Sequence, residues 1–120
     1  MKFIFSLLLL SSSAMATYSE WTDEKKNWFI ASNVAILADW TTTRNLTRRY
    51  DEGFYETNKI LGKYPSTDKV NGYFVGVLGL NYLLAEYLPK PYDEHVLIIN
   101  TVTFGSAAIN NNQLGLKFKF

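Results

Sequence analysis

Asp39, Thr43, Glu56 and Asn58 are the side chains whose types and spacing suit a polar site in this chain. Asp39 stands near the end of an apolar run, where a carboxylate is costly unless it is paired or reaches water. Thr42 and Thr43 follow at i+3 and i+4, on the same face if the run is helical. Glu56 and Asn58 flank Thr57. Their oxygens suit two tasks: accepting backbone N–H groups to hold a turn, or joining Asp39 as hard ligands of a divalent cation. Two carboxylates also suit acid–base chemistry if burial raises one of their pKa values. No nucleophile motif and no phosphate-binding loop accompanies them, so no residue is assigned a catalytic role, no metal is assigned and no cofactor is expected. The structural alternative makes Asp39 a tie to Arg44 or Arg48, or a cap on a neighbouring element. Glu86 and His95 flank a short loop, as a proton-sensitive pair or as separate solvated groups.

Composition narrows the partners. Lys and Arg number 12 and Asp and Glu 11, a balance that gives no basic face for nucleic acid. The chain has no Cys and one His, which excludes a disulfide framework, a thiolate metal site and any site needing two imidazoles. At 120 residues it is one domain at most.

The elements that must position the site are read from the apolar pattern. Residues 1–16, MKFIFSLLLLSSSAMA, carry Lys2, an apolar run from Phe3 to Leu10 and an Ala14-Met15-Ala16 ending. That pattern is expected to be a secretory signal peptide cleaved before Thr17. Residues 17–120 are then a single helical domain. Three apolar segments follow, Asn27 to Thr43, Val70 to Leu88 and His95 to Ile109. Asp23 and Glu24 suit the first turn of the first helix. Pro89 and Pro91 stop the second. The predicted fold is all-α: three short apolar helices with a charged connector, Arg44 to Lys69, between the first and second. Within the connector FYETNKILG suits a short helix that Gly62 ends. The tail from Leu114 to Phe120 alternates as a strand does.

The segments are apolar on nearly every side, and a soluble bundle of this size must show one face of each helix to water. The sequence therefore predicts helices embedded in a bilayer. Asn33, Asn81 and Asn100, one per segment, are expected to form interhelical hydrogen bonds. Gly72, Gly76 and Gly79 are expected to be the close-packing face of the second helix. Arg44, Arg48 and Arg49 are expected to lie at the membrane surface. With the N-terminus outside, the connector and tail would be inside, with eight Lys and Arg against Lys25, Lys26 and Lys90 outside.

One stretch also resembles a known group. Asp39-Trp40 with Thr42 and Thr43, Glu56, Asn58, Ile60-Leu61-Gly62, Pro65-Ser66, Lys69-Val70-Asn71, Tyr73-Phe74 and Leu88-Pro89 match a recurring pattern. The pattern is D-W-x-x-T, E-x-N-P-I-L-G, P-S and K-V-N-x-Y-F. It resembles small proteins of unassigned activity encoded by tailed phages and bacterial prophages, over about residues 40 to 110. Lys59 stands where that pattern has proline. The resemblance implies a phage or prophage context in the bacterial cell envelope, and no mechanism.

Three functions follow as expectations. The first is a non-enzymatic envelope membrane protein of the inner membrane, acting on host membrane components in exclusion or lysis. Its partners would be the lipid bilayer and a second copy or other membrane proteins. The second is a small intramembrane enzyme or divalent-cation-binding protein using Asp39, Glu56 and Asn58. The third is a periplasmic helical protein that binds an apolar ligand.

Overall fold

The structure, a computed structural model, describes residues 18–119. The predicted signal peptide lies outside them. Three helices make the fold: α1 Asp23–Leu46, α2 Thr67–Tyr87 and α3 Tyr92–Gln113. A one-turn 3-10 helix, Tyr50–Glu52, opens the connector between α1 and α2. There are no strands among the described residues.

Each helix begins before the apolar segment that marks it, and polar residues cap the first two. Thr22 accepts from the Lys25 N–H at 3.2 Å and Ser66 from the Lys69 N–H at 3.1 Å, so both helices begin within charged sequence. Asp23, Glu24, Asp68, Asp93 and Glu94 occupy first turns, where the helix dipole favours negative charge. The FYETNKILG piece does not form a helix. Glu56 Oε1 accepts from the Thr57 and Asn58 N–H groups at 2.9 and 3.1 Å, and Asn58 Oδ1 from the Ile60 N–H at 2.8 Å. Side-chain acceptors thus take the backbone donors that a helix needs. What remains is one turn, closed by the Gly62 N–H on the Asn58 carbonyl at 2.9 Å, with Gly62 at φ +85°. The tail does not form a strand either. Gly115 turns at φ +105°, Leu116 is buried, and the Lys117 N–H donates to Asn45 Oδ1 at 3.1 Å.

The helices run up, down and up. Lys25 reaches Asp93 and Asp39 reaches Asn111, so α1 and α3 are parallel. Trp40 Nε1 donates to Asn71 Oδ1 at 2.9 Å and Asn81 meets Ser32, so α2 is antiparallel to α1. Two apolar clusters hold them together. Ile36, Leu61, Val70 and Phe74 form one, with Trp40 stacked on Phe74 at 6.0 Å between ring centres. Trp21, Ala85 and Leu97 form the other, at the end where the chain enters α1. Between the clusters lies a polar layer. Asn81 Nδ2 donates to Ser32 Oγ at 2.9 Å and to Asn33 Oδ1 at 3.1 Å, and Asn100 Nδ2 donates to Asn81 Oδ1 at 2.8 Å. Each helix contributes to it.

The membrane-embedded reading is overturned: among the described residues no helix is long and apolar enough to cross a membrane. The helices have 24, 21 and 22 residues, so length is sufficient and composition is not. Lys25, Lys26, Asp39 and Arg44 all fall inside α1. Glycine, threonine, tyrosine and asparagine dilute α2 and α3. Each helix also leaves an apolar face open rather than covered on every side. Ile30, Val34 and Leu37 on α1, Val75, Leu80 and Leu83 on α2, and Ile99, Val102 and Ile109 on α3 are all exposed.

The charged residues follow packing rather than sidedness. Lys25, counted outside by the sequence, is buried and pairs with Asp93 at 2.8 Å. Burial alone pushes the Asp93 carboxyl up, but the Lys25 ammonium and the Glu94 N–H together hold it below the usual carboxylate range. Glu86 and His95 have separate surroundings. Glu86 Oε2 accepts from Trp21 Nε1 at 2.9 Å, and exposed His95 lies edge-on to Tyr92.

Gly72, Gly76 and Gly79 are not a packing face within the chain, because a Cβ at any of them meets nothing within 4 Å. They lie on the exposed side of α2. Gly76→Ala is therefore expected to stabilise the fold, by up to about 1 kcal/mol, through helix propensity alone. Urea denaturation measures this, and a loss of stability would show that something packs against that face.

Candidate functional site

Asp39 sits in the last third of α1 and is about nine-tenths buried, with 9% of its surface exposed. Thr43, one turn later, donates its hydroxyl to Asp39 Oδ1 at 3.2 Å. The parallel arrangement of α1 and α3 brings the last turn of α3 beside it. Asn111 Nδ2 donates to Asp39 Oδ1 at 3.1 Å and to Thr42 Oγ1 at 3.0 Å. Both described hydrogen bonds to the carboxylate thus land on one oxygen, and Oδ2 is left for the space that Asp39 lines.

That space is a cavity of about 260 Å³. α1 supplies Asp39 and Thr43, the connector Glu56, Thr57, Asn58 and Leu61, α2 Phe74, and α3 Ala107, Asn110 and Asn111. The Glu56 side chain is fixed by its two backbone donors. Asn58 is fixed by the Ile60 N–H on its oxygen and by its own amide, which donates to Tyr73 Oη at 3.0 Å. Tyr50 Oη donates to the Pro65 carbonyl at 2.6 Å and ties the connector down. Burial of the Tyr50 ring, with the Glu56 charge adding to it, raises the Tyr50 pKa.

The electrostatics of Asp39 are unusual. Burial pushes its carboxyl from 3.8 up to about 7. The Thr43 hydrogen bond opposes that rise, the Glu56 charge adds to it, and the Asn111 hydrogen bond opposes it again. The cavity lining contains two acidic side chains and no Lys, Arg or His. Among the described residues no group of three or more His, Cys, Asp and Glu side chains is placed to hold a metal ion.

The four residues that the sequence grouped, Asp39, Thr43, Glu56 and Asn58, thus line one cavity. Asn110, Asn111, Leu61, Phe74 and Ala107 were not foreseen in it. The Asn110-Asn111-Asn112 run reads in sequence only as a helix end. Its role depends on the 72-residue offset between Asp39 and Asn111, which only the packing of α1 on α3 sets. Of the three arginines assigned to a membrane surface, Arg48 is exposed and Arg44 half-buried. Arg49 clasps Glu52 through two hydrogen bonds, at 2.9 and 3.1 Å, and donates to Asn45 Oδ1 and to the Gly115 carbonyl. It anchors the tail to the end of α1.

Comparison of the chain with protein-family models, with curated proteins and with solved structures gives no match. The phage context therefore gains no support beyond the motif resemblance.

Proposed function

We propose that this chain is a binding protein, without catalysis of its own, whose ligand is a small cation held between Asp39 and Glu56. The observation that supports it most is the uncompensated charge of the cavity: two carboxyl groups line it, one of them nine-tenths buried, with no basic side chain among them. A buried carboxyl beside a second acidic group is unfavourable to the fold. An arrangement that costs stability and faces open volume is the kind that function retains. The reading departs from the envelope membrane protein of the sequence analysis, which needed helices that cross a bilayer. It keeps the cation-binding alternative.

The test is calorimetric titration of the folded chain with calcium, magnesium and simple alkylammonium salts. At least one of them is expected to bind, and Asp39→Asn and Glu56→Gln are each expected to weaken that binding tenfold or more, the scale of one lost charge-assisted hydrogen bond. Absence of binding by every cation, or binding untouched by both substitutions, overturns the reading.

A further inference from the structure

We infer that the cation is a small organic ammonium with a short apolar stem rather than a metal ion. This rests on the cation-binding reading above and narrows it to a ligand class. Three features of the cavity carry it.

The first is the number of oxygens still available. A calcium ion takes about six to eight oxygen ligands, and magnesium demands a near-ideal octahedron. Here Asp39 Oδ1 already accepts from Thr43 and Asn111, Glu56 Oε1 from two backbone N–H groups, and Asn58 Oδ1 from the Ile60 N–H. One carboxylate oxygen from Asp39 and one from Glu56 remain. With the Asn110 and Asn111 amide oxygens this falls short of the six to eight ligands of a calcium cage, whereas an ammonium has only its few N–H groups to place.

The second is volume. About 260 Å³ is far more than a bare ion fills, and a cavity of roughly 150 Å³ already admits benzene. The third is the wall. Leu61 and Phe74, 2% and 1% exposed, and Ala107 are the apolar members of the lining. A hydrated metal ion gains nothing from those side chains, whereas an alkyl stem seated against them leaves water. Asn110 and Asn111 add amide groups at the α3 side.

The experiment titrates the full chain with methyl-, ethyl-, propyl- and butylammonium chloride, with calcium and magnesium chloride in parallel. The expected result is binding of the alkylammonium series, tightening about fourfold per methylene while the stem follows the wall, and lost tenfold or more in Asp39→Asn and in Glu56→Gln. Each variant keeps hydrogen-bonding groups of the same shape, and circular dichroism with a cooperative melt confirms its fold. Calcium or magnesium binding that depends on Asp39, with no alkylammonium binding, overturns the ligand class and leaves the cation site standing. No binding by any of the six salts to the folded chain overturns both. Alkylammonium affinity that does not change with stem length overturns the apolar part of the inference.

Discussion

Asn81→Ala is expected to cost about 3 kcal/mol and to lower the melting temperature by roughly 12–24 °C, on the scale of a domain of this size. Asn81 is 1% exposed and joins all three helices. Its amide nitrogen donates to Ser32 and Asn33 on α1, and its oxygen accepts from Asn100 on α3. Alanine removes all three bonds at once. It leaves fully buried Ser32 Oγ with only its own donation to the Phe29 carbonyl, and takes a partner from each of two half-buried amides, Asn33 and Asn100. A polar layer that is partly satisfied is worse than an apolar one. Asn100→Ala removes a single bond from a half-buried site, and its cost is expected near 1 kcal/mol. The double substitution is expected to cost little more than Asn81→Ala, because Asn100 has already lost its partner. Urea denaturation followed by circular dichroism measures the cycle. Additive costs, or a cost below 1 kcal/mol for Asn81→Ala, would show that the layer does not hold the helices together.

Asp39→Asn is expected to do the opposite at neutral pH and raise stability. The folded-state pKa of Asp39 is raised from 3.8 to about 7, so between about pH 4 and pH 7 the folded chain holds a proton that the unfolded chain has released. Stability from this group is then greatest below about pH 4, falls as pH rises towards 7, and is level above that. The span is on the order of 2–4 kcal/mol. Asparagine cannot ionise, and its side-chain oxygen still accepts from Thr43 and Asn111. The variant is therefore expected to melt roughly 10 °C above the parent at pH 8 and close to it at pH 4. Melting temperatures across that pH range decide the matter. Were Asp39 a structural tie, its replacement would lower the melting temperature at pH 8 and leave the pH dependence in place. A variant that gains stability and loses cation binding is the signature of a site.

Some of this was legible in the residues and some was not. Asp39, Thr43, Glu56 and Asn58 stand out by chemical type against apolar neighbours, and type alone was enough to group them. Asn33, Asn81 and Asn100 stood out likewise, one in each apolar segment. Asn111 did not, since nothing local distinguishes it from Asn110 and Asn112. Its meeting with Asp39 is a property of the α1–α3 packing. The Lys25–Asp93 pair was hidden for the same reason, and because a lysine at a helix start is ordinarily solvated. The bilayer reading went wrong in giving too little weight to the glycines, threonines and asparagines inside the segments. Gly72, Gly76, Gly79 and the threonines contribute little hydrophobicity, and caps at Thr22 and Ser66 draw charged residues into the helices. The tail alternates in sequence, but with no strand among the described residues to pair with it follows Arg49 and Asn45 instead.

The parallel pairing of α1 with α3 also sets a temporal order during synthesis. Asp39 leaves the ribosome 72 residues before Asn111, an interval of about 4–14 s at the usual 5–20 residues per second. Throughout that interval the carboxylate lacks the helix that closes over it and stays in contact with water. The penalty for burying it is deferred until the final turn of α3 arrives, so this costly carboxyl is sealed in only after nearly all of α1, α2 and α3 is available to hold it.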